Sequence, residues 1–405
     1  MQNEFVETVI VGGGQAGLAM SEQLSLRGLP HLVLERHRIA ERWRSERWDG
    51  LHANGPVATD RIPGHEFQGF DPDDFATRDQ MVAYFAEYAR AIAAPVRGDT
   101  PVTALSRRQG GGFVVETPSG VVEAVNVIAA TGPFQRPNIP AIVPADAGIF
   151  QVHSSGYRNP DQLPAGAVLV VGSGASGAQI ADELLRAGRR VYLSLSRHAR
   201  PPRRYRGRDY VWWMYDLGMW DAQGGYPPPR HIPLAVSGAY GGRTVDFRRL
   251  AADGATLLGR TQGYRAGVLR FANDLAENLA KGDESYRSFL DAADAVNDRD
   301  GLGLPDEPDA RIVLPDPDSV TQPILELPAR QISSIVWATG YGLDFGWVQL
   351  PVFDGLGRPV HDKGITDTPG FYFLGLSFLS RRASGFVFGV QTDAIRVADH
   401  IAGRS

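Results

Sequence analysis

The sequence predicts an α/β protein with two Rossmann-like dinucleotide-binding domains, and three observations carry that prediction. The run Phe5 to Val11 is β-rich and ends in the turn Gly12-Gly13-Gly14-Gln15-Ala16-Gly17. The same device returns where Val168 to Val171 enters Gly172-Ser173-Gly174-Ala175-Ser176-Gly177. A shorter echo also repeats. Val125 to Ala129 leads into Ala130-Thr131-Gly132, and Ile332 to Trp337 leads into Ala338-Thr339-Gly340.

Each element follows from its local pattern. After the first turn, Leu18 to Leu26 has a helical apolar period, Gly28 and Pro30 punctuate, and His31 to Glu35 reads as a strand, which completes a βαβ unit. After the second turn, Ala178 to Ala187 is helical, Gly188 closes it, and Val191 to Leu195 is the next strand. Between Tyr205 and Ala310 the text changes. It holds a proline-rich loop (Tyr226 to Pro233), a glycine-rich loop (Gly238 to Gly242) and a short strand (Thr256 to Leu258). Helices are expected at Ala266 to Ala280 and Tyr286 to Val296. The C-terminus returns to strand (Phe371 to Leu374) and helix (Gly389 to Ile401). One domain is expected over 1–150 plus 345–405. A second is nested within it over 151–344, with a partly helical insertion at about 205–310.

Composition removes several function classes. A chain of 405 residues suggests two or three domains, and 43% hydrophobic with 21% charged residues is globular. No apolar run approaches a membrane span, and Met1 to Glu7 lacks a basic n-region, so no membrane association and a cytoplasmic location are expected. With no cysteine, disulfides, thiolate metal sites and a redox CxxC pair are excluded. No metal site is expected. A net charge of −5 argues against nucleic acid as a partner.

A GxGxxG turn after a strand cradles phosphate. The first glycine makes the turn, the second lets the backbone approach the pyrophosphate, and the third lets helix and strand pack. The residue ending the following strand sorts the two sites. Glu35 can accept hydrogen bonds from both ribose hydroxyls, which suits FAD or NAD. The second unit has Leu195-Ser196-Arg197 there, with no acid. Arg197 and the Ser196 hydroxyl suit a 2′-phosphate, which points to NADPH. Nine Arg fall between Arg186 and Arg208, and Arg203 or Arg204 is a further candidate for that phosphate.

These features, with the segment between them, resemble the class B flavin-dependent monooxygenases, nearest the flavin-containing and plant YUCCA-type enzymes. The resemblance covers most of Val6 to Tyr205 and Ile332 to Ile401 and is thin across the insert. Trp48-Asp49-Gly50-Leu51-His52-Ala53-Asn54-Gly55-Pro56 is similar to the family pattern of an aromatic followed by L-x-T-N-x-P, with Ala53 in place of Thr. The resemblance puts Asn54 beside the reactive edge of the flavin. The fingerprint FxGxxxHxxx[FY] is half present, as His153 and Tyr157, while Gly148 sits five before His153 instead of four and Ala147 stands where Phe is expected. His153 then falls at a hinge between the domains. Trp337-Ala338-Thr339-Gly340-Tyr341 matches the family's ATGY crossing, and Ser384-Gly385-Phe386 precedes a helix whose N-terminus faces the flavin.

The resemblance therefore implies an FAD- and NADPH-dependent monooxygenase. It inserts one oxygen atom of dioxygen into a small-molecule substrate through a flavin 4a-hydroperoxide, at a soft nitrogen or sulfur or a 2-oxo acid. It assigns FAD to Gly12, Gly14, Gln15, Ala16, Gly17, Glu35, Trp43, Thr131 and Gly132. It assigns NADPH to Gly172, Gly174, Ser176, Gly177, Ser196 and Arg197, with Thr339 and Gly340 at the crossing. Asn54 and His153 are the catalytic candidates. A Baeyer–Villiger ketone oxygenase, an NADPH-dependent electron-transfer reductase and a flavin sensor without turnover stay open. The aromatic cluster Tyr210, Trp212, Trp213, Tyr215 and Trp220 is read first as core or lid, then as a substrate wall or a homodimer contact.

Overall fold

A computed structural model of the chain describes residues 3–223 and 232–404. The first lobe opens with β1 (Asn3–Val11), α1 (Gln15–Leu26), β2 (His31–Leu34) and the short α2 (Glu41–Ser45). It continues with α3 (Arg78–Ala91), β3 (Val96–Arg97), β4 (Ala104–Arg107), β5 (Phe113–Thr117) and β6 (Gly120–Ala129). The strands order as β3-β2-β1-β6-β5-β4. On the edge away from β1, strand β6 serves two partners along its length. Its first half pairs antiparallel with β5, while Val127, Ile128 and Ala129 pair in parallel with Phe371, Tyr372 and Phe373. Val9, Ile10, Val127, Ile128 and Phe371 are fully buried. Each such aliphatic side chain stabilises the fold by roughly 1.5–3 kcal/mol. Helix α3 starts at a capping box, in which Thr77 and Gln80 satisfy each other's backbone N–H.

The second lobe is entered through β7 (Arg136–Pro137) and β8 (Phe150–His153), then β9 (Val168–Val171), α4 (Ala175–Arg186) and β10 (Val191–Ser194). After the hairpin β11 (Arg204–Tyr205) and β12 (Arg208–Asp209) come α5 (Tyr210–Asp216), α6 (Phe247–Ala252) and β13 (Thr256–Leu258). Next are β14 (Thr261–Arg265), β15 (Val268–Phe271), α7 (Leu275–Asp300), α8 (Asp318–Thr321), β16 (Glu326–Pro328), β17 (Ser334–Trp337) and β18 (Tyr341–Gly342). Strands β13-β10-β9-β17-β8 form one all-parallel sheet. All residues of β9, β10 and β17 are buried, as expected for strands covered on both faces. The chain then returns to the first sheet as β19 (Phe371–Phe373) and ends in α9 (Val390–Ala402), which packs on α1.

The insert departs from expectation in one place. The stretch expected to be helical from Ala266 starts as the β14–β15 hairpin, closed by β16 into a three-stranded sheet. Leu269 and Phe271 point into the core from β15 with strand alternation, which wins over local helix propensity. The helix begins at Leu275 and runs on through Tyr286 to Val296 as a single element. The expected proline-rich loop Tyr226 to Pro233 lies outside the described residues, apart from Ile232 and Pro233. Among the described residues no helix is long and apolar enough to cross a membrane.

Candidate active site between two dinucleotide turns

Both glycine turns sit where their sheets change winding direction, between β1 and β6 and between β9 and β17. This is the crevice where open α/β sheets bind ligands. The two turns are built alike. Gly12 has φ 114° and Gly172 has φ 133°, so each needs glycine. A Cβ at Gly12 would lie 2.7 Å from the Ala130 carbonyl oxygen, and one at Gly172 would strike that of Ala338. The ATG echoes thus pack directly on the turns they echo. A Cβ at Gly17 or Gly177 would run into the carbonyl of Gly12 or Gly172. Gly14 and Gly174 are the N-caps of α1 and α4, with no side-chain cap and no acid in either first turn. The free N–H groups therefore face outward as two anion cradles. Gly14 has open space beside it, so the residues present fit a pyrophosphate.

The strand ends differ in charge. Glu35, nearly buried, accepts from the backbone N–H of Gly13 at 2.7 Å and of His37 at 3.0 Å. Two donors fix this carboxylate at the rim of the first turn, where it fits a ribose. At the second turn, Ser173 Oγ donates to the Ser196 carbonyl at 3.1 Å. Arg197 is exposed, with no ion-pair partner among the described residues. It fits an anionic ligand. Trp43 is half-buried on α2, with its ring 6.5 Å from that of Phe85.

The arginine cluster around Arg200 divides by burial. Arg203 is 2% exposed and forks onto Asp209 at 2.8 and 2.5 Å, between the rings of Phe75 and Tyr210. Arg200 is held by Asp283 and Asp246, and Arg204 reaches the Gly241 carbonyl. The expectation that Arg203 reads a phosphate is therefore corrected. A guanidinium already saturated by a buried carboxylate has no fork left for a ligand.

Asn54 lies in the cleft between the lobes. Its Oδ1 accepts from Gln179 Nε2 of α4 at 2.9 Å, and its carbonyl accepts from Arg203 at 2.7 Å. Gln179 Oε1 is buried with no hydrogen-bond partner among the described residues, so the cleft holds an acceptor suited to a polar ligand. Gln15, at the start of α1, donates to the Gly385 carbonyl at 2.9 Å and so ties the first turn to the segment before α9. Gly385 lies in the segment expected to precede the flavin-facing helix, whereas Gln179 is a site residue that sequence reasoning missed. Gln179 carried a signal, since it follows Gly177 by two positions on the same helix.

The crossing between lobes is a small antiparallel pair, β7 with β18, in which Tyr341 opposes Pro137. Gln135 Nε2 donates to Thr131 Oγ1 and to the Gly132 carbonyl, both at 2.8 Å, and Thr339 Oγ1 donates to the Asn138 carbonyl. His153 is 4% exposed and stands edge-on to Tyr341. Its Nε2 lies 3.0 Å from the Gly340 carbonyl, which can only accept, so Nε2 carries the proton. Its Nδ1 then accepts from the Ser155 N–H at 3.1 Å. Burial pulls the ring below the ordinary histidine range, which favours this neutral form.

The comparisons agree with this architecture. Residues 9–209 match the family model described as pyridine nucleotide-disulphide oxidoreductase. The chain is 30% identical to an uncharacterized oxidoreductase CzcO-like of Geobacillus kaustophilus, over 96% of each chain. It is 35% identical to the indole-3-pyruvate monooxygenase YUCCA1 of rice (Oryza sativa), over 44% of this chain and 45% of that one. The fold matches a flavin-containing monooxygenase from Stenotrophomonas maltophilia with a TM-score of 0.68, 20% identity and 99% coverage of both chains. With its two dinucleotide turns and a relative matched from end to end, the chain belongs to the family of the CzcO-like oxidoreductases, and it is similar to the flavin monooxygenases over part of its length and in its fold.

Proposed function

We propose that the protein uses NADPH and dioxygen to oxygenate a small organic substrate at a soft nitrogen or sulfur, or at a 2-oxo acid. FAD would be held by the lobe formed from 1–150 plus 345–405, and NADPH by 151–344. The observation that carries this reading is the bridge between lobes. Asn54, six residues past the aromatic Trp48, hydrogen-bonds Gln179 on the very helix that opens at the second glycine turn. That bond ties the Asn54 loop to the second cradle and supports the reading that one cleft serves both cofactors, as hydride transfer between them requires.

The bound flavin supplies the redox and oxygen chemistry. The chain's own groups position and shield it. Gly14 and Gly174 present the helix N-termini to pyrophosphate, and Glu35 orients a ribose. Asn54, fixed by Gln179, points an amide into the cleft. His153 holds a proton on Nε2 against Gly340 and pins the crossing rather than moving that proton. The buried aromatics Trp213 and Trp220 help exclude water.

The test is anaerobic reduction by NADPH, then rapid mixing with ¹⁸O₂ and candidate sulfides, amines and 2-oxo acids. Reoxidation in two resolved phases, with one ¹⁸O in the product, is expected. Single-phase reoxidation and no labelled product from any probe would replace this reading with an electron-transfer reductase. Asn54→Ala should keep NADPH oxidation within about threefold while diverting most of it to hydrogen peroxide.

A further inference from the structure

The cleft has a charge that the function above does not use. Asp60 belongs to the same loop as Asn54, and its Oδ2 accepts from the Gly55 N–H at 3.3 Å. It has no ion-pair partner among the described residues, although the Arg203 guanidinium lies close enough to act on it. Arg203 of β11's approach is already matched by Asp209, Arg61 by Glu66, and Arg381 by Asp221. Each guanidinium brings its own carboxylate, so the negative charge of Asp60 is left over.

Aromatic side chains stand close to it. Asp60 is close enough to Tyr210 and Tyr215 of α5, and to Tyr84 of α3, for its charge to add to the burial that holds their hydroxyls protonated. Tyr215 is 41% exposed and packs 5.7 Å from Phe388, while Trp220 stacks edge-on to Phe386 at 5.0 Å. Those two phenylalanines follow Gly385, the residue bonded to Gln15 of the first turn. Enclosure pushes the Asp60 carboxyl up to about 6, against the pull of the Gly55 N–H and of Arg203. Asp60 is half-buried, so part of the residue stays open to solvent or to a ligand.

We infer that Asp60 is a specificity-determining residue that selects a substrate carrying a positive charge beside an apolar body and turns carboxylates away. A carboxylate with no ion-pair partner among the described residues, near the exposed ring of Tyr215, attracts an organic cation by charge and by cation–π contact. The same charge repels a 2-oxo acid. The inference rests on the oxygenase reading for what happens next, but not for binding.

The test uses the FAD-loaded enzyme and three probes of similar body. N,N-dimethyl-2-phenylethylamine is a cation, methyl 2-phenylethyl sulfide is neutral, and phenylpyruvate is an anion. Benzyltrimethylammonium, which cannot be oxygenated, reports binding alone by calorimetry. On wild-type enzyme its Kd should weaken on the order of fivefold or more from pH 8 to pH 5, as Asp60 takes up a proton. Asp60→Asn should weaken that Kd about tenfold at pH 8 and remove the pH dependence. The variant should lose kcat/KM for the amine by a similar factor, leave the sulfide within about twofold, and accept phenylpyruvate better. Equal Kd values for the quaternary ammonium in both proteins, or equal losses for amine and sulfide, would overturn the inference. So would a wild-type Kd that does not change with pH, which needs no variant to fold. If the cation binds in an Asp60-dependent way but no probe yields oxygenated product, the oxygenase reading fails and charge selection stands. If the sulfide is oxygenated and Asp60→Asn changes nothing, the reverse holds.

Discussion

The first and second glycine turns are one backbone written twice, with different side chains at the strand that follows. Gly12 leans on Ala130 and Gly172 on Ala338, with the same left-handed φ and the same uncapped helix start. What differs is the rim. Glu35 is a carboxylate locked by two N–H donors, whereas Arg197 is exposed with no ion-pair partner among the described residues. The repeated part uses only backbone groups, so it recognises what the two cofactors share. Discrimination is left to one side chain at each rim. This division can be broken at either level.

The largest effect should come from the backbone level. Gly17→Ala and Gly177→Ala each force a Cβ into a carbonyl that cannot move without reshaping the turn, and overpacking of this kind costs about 1–3 kcal/mol. Gly17→Ala should purify with less than about a tenth of the wild-type flavin. Gly177→Ala should stay yellow and lose reduction by NADPH on the order of a hundredfold. Flavin absorbance and anaerobic reduction rates read the two apart. Equal flavin loss in both variants would end the assignment of one cofactor to each turn.

At the rim the effects should be smaller and more selective. Glu35→Ala removes a carboxylate whose charge-assisted hydrogen bonds are each worth roughly 1.5–3 kcal/mol. The flavin-to-protein ratio should fall to less than about half, with NADPH affinity of the remaining holoenzyme unchanged. An unaltered ratio would remove the ribose role. Arg197→Ala should raise the KM for NADPH about tenfold and leave NADH within about twofold. Parallel loss with both nucleotides would show that Arg197 does not read the 2′-phosphate.

The contrast also explains what the sequence disclosed. Both turns were legible because a GxGxxG constrains backbone shape, and a shape constraint leaves glycine at fixed spacing. The β9–α4–β10 unit was placed to within a few residues for the same reason. The insert was not legible in this way. The β14–β15–β16 sheet joins segments far apart in the chain, and its pairing is set by burial of Leu269, Phe271 and Leu327 rather than by local propensity. Arg203 was misread because an arginine count does not reveal burial. Its partner Asp209 lies six residues on, across the β11–β12 hairpin, which local sequence did not announce. Asp60 escaped notice because only the fold shows that its neighbours' charges are already matched.

The smallest effect sharpens the comparison at the point where the two lobes meet. His153 belongs to neither turn, and its ring is neutral in the folded protein because burial opposes its charge. In the unfolded chain it titrates near the ordinary value of about 6.5. As the pH drops below that value, the unfolded state binds a proton that the native state refuses, and unfolding gains. The contribution of His153 is therefore complete above about pH 6.5 and is lost as the pH falls toward its lowered native value. His153→Gln keeps a donor for the Gly340 carbonyl but cannot titrate. The other buried histidines pulled the same way, such as His31 and His198, are common to both proteins and cancel. The Tm gap between wild type and variant should be widest near pH 8 and narrow steadily toward pH 5, while flavin content and NADPH use stay close to wild type. A pH limb in kcat that disappears with His153→Gln would instead make this histidine a proton-transfer group. The crossing would then join the chemistry that the two turns serve, where the geometry gives it only the task of holding them together.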